Sequence, residues 1–189
     1  MQPEQKDILQ NQQPSAPLKS EPKKEKLVGF RKFHYVFLML AVVVVPLWIG
    51  LGKNILGAHG GWGSVLIIFF LVPFIFAYQV VILILALMNK QSRQKKAVSS
   101  IIAWLLTVYY ICIFFYTLST TDGGDTSERF NSVFMNIFGN ELGTTLSSLG
   151  GVAFLVAFIC AIAIFIFLLA ELVTKKDSKK QVVTSVENS

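Results

Sequence analysis

Four long apolar runs constrain this chain more than any other feature of its sequence. They cover about residues 33–51, 64–88, 98–118 and 151–173, and almost all charged residues lie between them. At about 1.5 Å per residue, the second run is longer than the roughly 30 Å hydrocarbon core of a bilayer. Apolar runs of this length are typical of transmembrane helices. The pattern therefore predicts an all-α integral membrane protein, folded as a bundle of four transmembrane helices.

The overall composition agrees with a membrane protein. Charged residues make up 15% of the chain and hydrophobic residues 53%, whereas a soluble domain has about 25% charged residues. In a soluble protein the net charge of +6 would suggest nucleic-acid binding. Little of this chain lies outside the apolar runs to build such a surface, so we expect no nucleic-acid partner.

Lysine and arginine residues are distributed unequally between the two sides of the predicted bundle. Seven precede the first run, four lie between the second and third, and four follow the fourth, so fifteen of the seventeen share one side. Only Lys53 and Arg129 lie on the other side. Because cytoplasmic loops carry the excess of basic residues, we expect both termini in the cytoplasm. Two loops, residues 52–63 and 119–149, would then face outward.

The chain divides into three predicted segments. Residues 1–26 contain few apolar groups, so we expect a disordered basic cytoplasmic tail. This tail is too long and too mixed in composition for the basic segment of a cleaved signal peptide. Residues 27–175 form the membrane domain, and residues 176–189 form a second cytoplasmic tail.

Basic clusters flank the membrane on the predicted cytoplasmic side. They would attract anionic lipid head groups by roughly 1 kcal/mol per charge near the surface. The predicted location is the plasma membrane, and the lack of an Asn-x-Ser/Thr acceptor is compatible with a bacterial protein. The clustered residues are Lys6, Lys19, Lys23, Lys24, Lys26, Arg31 and Lys32, then Lys90, Arg93, Lys95 and Lys96, then Lys175, Lys176, Lys179 and Lys180.

Gln79 is an amide deep within the second run. Because the loop after this run is short, we expect the second and third helices to form an antiparallel hairpin, with Gln79 and Thr107 at equal depth. An unpaired amide in lipid costs several kcal/mol. We therefore expect a hydrogen bond from Gln79 to Thr107 or Tyr110, although a polar step in a substrate path is the alternative.

Two prolines and three alanines affect how the helices pack. Pro46 and Pro73 each remove a backbone hydrogen bond, so we expect static bends at these residues. Ala153, Ala157 and Ala161 recur at every fourth position and allow a close helix contact. We favour a contact within the bundle, and a seam between two copies is the alternative.

Glu171 is the only carboxylate inside an apolar run. A membrane-embedded acid is a candidate functional residue. Its position near the cytoplasmic end instead favours solvation or an ion pair with Lys175, four residues later.

The second outer loop contains the predicted amphipathic helix. Asp125 and Glu128 resemble a capping box, and Gly139 is a plausible end. We expect about three helical turns, lying on the outer leaflet or covering the bundle. A partner-binding surface centred on Phe134 is the alternative. The apolar positions are Phe130, Val133, Phe134, Ile137 and Phe138.

Possible metal and redox ligands are few. Asp122, Asp125 and Glu128 do not have the spacing of a calcium loop, and a single His59 is not a metal site. Trp62 nearby is typical of an interfacial anchor. Cys112 and Cys160 lie inside apolar runs, where free packing thiols are expected. We therefore expect no metal, no cofactor and no disulfide.

The sequence also lacks the motifs of common enzyme classes. It contains no phosphate-binding loop, dinucleotide fingerprint, Cys-x-x-Cys, His-Glu-x-x-His or Gly-x-Ser-x-Gly. His34 and His59 fall on opposite predicted sides of the membrane, which argues against a haem bound by two histidines. We therefore expect no catalytic residues. The leading hypothesis is a non-enzymatic accessory, regulatory or immunity-type subunit that binds another membrane component. The alternative is a subunit of a small oligomeric channel or permease.

Overall fold

The computed structural model describes residues 22–58, 61–121 and 132–187, and for residues 22–26, 91 and 175–187 it describes the backbone alone. The described residues are helical and include four helices long and apolar enough to cross a membrane. The elements are α1 (Pro22–Ile55), α2 (Trp62–Leu66), a π-helical turn (Ile67–Leu71), α3 (Val72–Met88), α4 (Lys90–Lys95), α5 (Ser100–Ser119), α6 (Val133–Phe138), α7 (Asn140–Ser148) and α8 (Gly150–Glu187).

The four predicted apolar runs all fall within these helices. The first lies in α1, the second in α2 through α3, the third mostly in α5 and the fourth in α8. The first and last helices extend beyond the predicted apolar runs. Helix α1 begins at Pro22, where a proline is favourable because the first helical N–H needs no partner. The predicted tail boundary at residue 26 thus falls inside a helix, and α8 continues to Glu187.

The two prolines are accommodated differently. Helix α1 runs without interruption through Pro46. Pro73 instead follows directly after the π-helical turn, in which the N–H of Val72 donates to the carbonyl of Ile67. Wider turns of this kind are common where a residue disturbs the regular helical pattern. The predicted irregularity at Pro73 therefore has a structural counterpart.

The order of the four spans around the bundle differs from the predicted hairpin. Helix α1 packs against α3 and α5, and α8 packs against α5 and, less closely, α3. The second and third spans therefore face each other diagonally across the bundle, and the expectation that they pack side by side is wrong.

Two hydrogen bonds join the end of the connecting segment to α1. The Arg31 Nε donates to the carbonyl of Val98 at 2.7 Å, and the N–H of Val98 donates to the carbonyl of Arg31 at 3.4 Å. These two bonds attach the start of α5 to α1. The segment that makes this connection, residues 89–99, includes α4, whose six residues span about 9 Å.

Side chains from all four spans form the core. Its centre contains leucine and isoleucine side chains that are almost completely buried, with small alanines between them. Small residues allow the helix backbones to approach closely. The core includes Leu38, Ala41, Ile82, Ala86, Ile102, Ala103, Leu106, Ala157, Ile164 and Leu168.

A short helical hairpin covers one end of the bundle. Helices α6 and α7 meet at Gly139, whose φ of +79° favours glycine. Gly143 of α7 lies directly against the backbone of Met135 and Phe134, so that a side chain at this position would collide with main-chain atoms. The close packing of the two helices therefore depends on this glycine.

Replacing Gly143 with alanine should loosen the hairpin. Alanine normally stabilises a helix relative to glycine, but here the collision should cost about 1–3 kcal/mol. A cysteine replacing the buried Val133, in a chain whose native cysteines are alanines, should then react with a water-soluble thiol reagent at least about fivefold faster. Gly151→Ala is the control, because a methyl group added at Gly151 meets open space. This substitution should leave the rate of the thiol reaction unchanged. Equal rates in the two variants would contradict this account.

Candidate functional site

A polar cluster lies in the middle of the bundle. Gln79 is completely buried. Its Nε2 donates to the hydroxyl of Tyr109 at 3.4 Å, and the hydroxyl of Tyr110 donates to its Oε1 at 3.5 Å. The predicted bond to Tyr110 is confirmed, and Tyr109 is a partner that the sequence did not indicate. Long tyrosine side chains are needed because the two helices lie diagonally.

Thr107 bonds to a different helix from the one predicted. Its hydroxyl lies 2.8 Å from Nε2 of His34 in α1 and 3.0 Å from the carbonyl of Ala103. Nδ1 of His34 lies 3.0 Å from the carbonyl of Phe30 and must donate, since a carbonyl only accepts. Thr107 faces α1 because α5 is attached to α1 at Val98. Of the two partners predicted for Gln79, the structure therefore has Tyr110 and not Thr107.

Two further hydrogen bonds join the second and fourth spans. The Tyr78 hydroxyl donates to the carbonyl of Ala161 at 2.8 Å. Nearer to α4, Nδ2 of Asn89 donates to Oε2 of Glu171 at 2.7 Å. Solvation or an ion pair with Lys175 was predicted for Glu171, and the side chain of Lys175 lies outside the described part of the structure. Asn89 is nearly fully buried and was missed because it sits at the end of an apolar run.

The alanines of the fourth span lie against the rest of the bundle. Ala157 is 1% exposed and belongs to the core, and Ala161 packs beside that core. This arrangement supports the contact within the bundle rather than a seam between two copies.

The predicted amphipathic helix is shorter than expected. Its first turn begins after Ser132, whose extended backbone and side-chain acceptance of the Met135 N–H identify it as the N-cap. A helix cannot run through a residue in this conformation, so three continuous turns from Asp125 are ruled out. Asp125, Glu128 and Phe130 lie outside the described residues. Gly139 ends the helix, as predicted.

This hairpin, which we call the cap, comprises α6 and α7. One side of the cap is attached to the bundle. Val133 and Phe134 are buried, and the ring of Phe134 lies 4.9 Å from that of Phe115 in α5. Asn136 donates through Nδ2 to the carbonyl of Gly57 at 3.4 Å.

Further along the same apolar face of α6, and on α7, large apolar side chains are exposed. Ile137 is 62% exposed, Phe138 51% and Leu142 53%, and the ring of Phe138 lies 6.3 Å from that of the buried Phe134. The apolar face predicted for this helix is thus partly covered and partly open. Phe134, on which the partner-binding alternative was centred, holds the cap on the bundle.

A groove opens sideways between the second and fourth spans. It has a volume of about 230 Å³ and an almost entirely apolar lining. Four phenylalanines surround it, and Tyr78, Tyr109 and Ala157 contribute to its floor. The lining residues are Leu71, Phe74, Ile75, Tyr78, Tyr109, Ile113, Phe154, Ala157, Phe158, Ala161, Ile162 and Phe165.

The remaining sequence candidates have less structural support. Within the described ranges, no three His, Cys, Asp or Glu residues lie close enough together to hold a metal ion. His59 and Asp122 fall outside those ranges. Cys112 and Cys160 are free thiols, and Trp62 is exposed at the start of α2.

No protein-family model, curated protein or solved structure matches this chain.

Replacing Gln79 with leucine should destabilise the bundle modestly. The substitution removes the shared partner of two tyrosine hydroxyls, and hydrogen bonds between membrane helices are worth about 0.6–1.7 kcal/mol. We expect the effects of Gln79→Leu and Tyr110→Phe on the free energy of unfolding to be non-additive by about 0.5–1 kcal/mol. Unfolding is measured by titration with a denaturing detergent in mixed micelles. The control pair is Gln79→Leu with Phe76→Leu, because Phe76 lies on the same helix and faces outward. The effects of these two substitutions on the free energy of unfolding should be additive. Additivity in both pairs would argue against the bond.

Proposed function

We propose that this protein is a non-enzymatic membrane subunit, of an accessory, regulatory or immunity type, that binds another membrane protein through its cap. The observation that carries this proposal is the partly covered apolar surface of the cap. Phe134 packs on the bundle, whereas Ile137, Phe138 and Leu142 are exposed to the surroundings.

The attachment of the cap to the bundle supports a role in recognition. Phe134 against Phe115 and Asn136 against Gly57 hold its position on the bundle, and the bond between the hydroxyls of Ser132 and Ser147 joins its two helices. A surface that is already ordered loses less conformational entropy on binding. The exposed side chains would therefore meet a partner in nearly their final arrangement.

The residues around the apolar centre also fit a protein partner. Asn140, Glu141, Thr144 and Thr145 of α7 are exposed and polar. An apolar centre with a polar rim is the usual organisation of a protein–protein interface. A surface made only for the lipid core would have no need of such a rim.

The proposed orientation places the cap outside the cell. In the described structure the exposed Lys32, Arg93, Lys95 and Lys96 lie toward the end of the bundle where α4 and the start of α1 meet. This cationic end suits the cytoplasmic face of a bacterial plasma membrane and its anionic head groups. The cap, at the opposite ends of α5 and α8, would then face outward.

The polar groups inside the bundle favour binding over transport. Gln79 bonds to Tyr109 and Tyr110, and Thr107 bonds to His34. Groups that are already paired offer little to a passing ion or solute. A channel or permease subunit, the second candidate, would require several copies and should show flux in reconstituted vesicles.

The topology can be tested with single cysteines in a chain whose Cys112 and Cys160 are alanines. We expect Thr145→Cys to react with an impermeant thiol reagent in intact cells. Lys95→Cys, equally exposed in the bundle, should react only after the cells are permeabilised. The reverse pattern would overturn the N-in/C-in orientation.

The partner surface can be tested with the double substitution Ile137→Ser and Phe138→Ser. Loss of these two apolar side chains should reduce the amount of partner protein recovered in mild detergent by more than about tenfold. The reason is that hot-spot residues each contribute about 2 kcal/mol or more to the binding free energy. Thr144→Ser with Thr145→Ser is the matched control on the polar rim and should retain the partner.

A photoreactive residue replacing Phe138 identifies what the cap touches. Cross-linking to a protein that the double variant no longer recovers would support the proposal. Cross-linking to lipid alone, or recovery of the chain by itself from both variants, would overturn it.

A further inference from the structure

We propose that the groove between the second and fourth spans is a binding site for one acyl chain of a membrane phospholipid. This inference is independent of the cap and of the proposed orientation. It rests on three properties of the groove, which are the chemistry of its lining, its closure at one end and its length.

The lining offers contacts to hydrocarbon and no free polar group among the described residues. Of the residues that line the groove, only Tyr78 and Tyr109 carry side-chain polar atoms. The Tyr78 hydroxyl donates to the carbonyl of Ala161, and the Tyr109 hydroxyl accepts from Gln79. Almost none of the surface that the lining presents to a ligand is polar, and a hydrocarbon chain needs no polar partner.

Toward α4 the groove ends where the second and fourth spans are joined. The bond from Asn89 to Glu171 joins them beyond Phe165, the last lining residue of α8, and the bond from Tyr78 to Ala161 crosses the groove about one turn earlier. Between Leu71 and Phe74 on one helix and Phe154 and Phe158 on the other, the spans separate. The opening therefore occupies only part of the membrane thickness.

The length of the groove distinguishes between possible occupants. Along α8 it extends from Phe154 to Phe165, which corresponds to about 16 Å of helix. A transmembrane helix of a partner, or of a second copy, must cross the whole hydrocarbon core of about 30 Å. One leaflet has about half that depth, so the groove matches an acyl chain entering from the leaflet on the cap side.

Packing provides the reason for a chain to stay in the groove. Lipid tails are as apolar as leucine, so no hydrophobic driving force separates this site from the bulk bilayer. An empty space beside the phenylalanines would, however, lose dispersion contacts. A chain that fills it should therefore exchange more slowly and at higher occupancy than lipid on the outward surface of the same helix.

The test uses the full chain reconstituted in phosphatidylcholine vesicles with a diazirine in the middle of one acyl chain. After illumination, labelled peptides are mapped by mass spectrometry. We expect the label to be concentrated on groove residues such as Phe158 and Ile162, about fivefold above Ile159, which is exposed on the same helix outside the groove. That factor corresponds to roughly 1 kcal/mol.

Two matched substitutions complete the experiment. Ile162→Trp fills the groove and should lower its labelling about fivefold. Ile159→Trp makes the same change on the outward surface and should leave groove labelling intact. Equal labelling of the two surfaces in the unmodified chain would overturn the site, even if Ile162→Trp fails to fold. A photoreactive residue replacing Phe158 provides a second test. If it cross-links to protein rather than to lipid, the proposed acyl-chain site is also overturned. None of these outcomes depends on whether the cap binds a partner.

Discussion

The requirement that polar groups be paired inside a hydrocarbon solvent governs this structure. Backbone groups meet it by forming helices, which is why the four membrane-crossing segments are helical. Several buried polar side chains among the described residues meet it by pairing across helices, whereas Nε1 of Trp48 is buried without a partner. Gln79 reaches Tyr109 and Tyr110, Thr107 reaches His34, and Tyr78 reaches a backbone carbonyl of the fourth span. Each bond adds little stability in lipid, but each disfavours arrangements of the helices that would leave a polar group unpaired.

The attachment of Val98 to Arg31 joins the start of the third span to the first. The third span lies beside the first, and the second span lies diagonally opposite the third. The second and fourth spans consequently meet along only part of their length, where Tyr78 and Asn89 provide bonds. Where they separate, the apolar groove opens. The groove is thus a consequence of the same packing order that brings the tyrosines to Gln79.

Sequence reasoning predicted the site in part. A lone amide in an apolar run has to find a partner, and that argument led correctly to Tyr110. It failed for Thr107 because depth alone does not show which neighbour a helix faces. The apolar positions of the outer loop were predicted correctly. Which of them are buried was not predicted, because periodicity does not distinguish Phe134, which packs on Phe115, from Ile137, which is exposed. Ser132 could have been recognised as the N-cap, because serine is a preferred residue there.

The amino-acid sequence by itself determined that the chain has four segments long and apolar enough to cross a membrane as helices, because the length and apolarity of a segment decide whether it can partition into lipid. It also determined that Gln79 would be paired. Only the tertiary structure decided which helices are neighbours, where the groove opens, and which side of the cap is exposed. These properties depend on contacts between residues far apart in the chain, such as Arg31 with Val98 and Tyr78 with Ala161. Local hydropathy carries no information about such pairs.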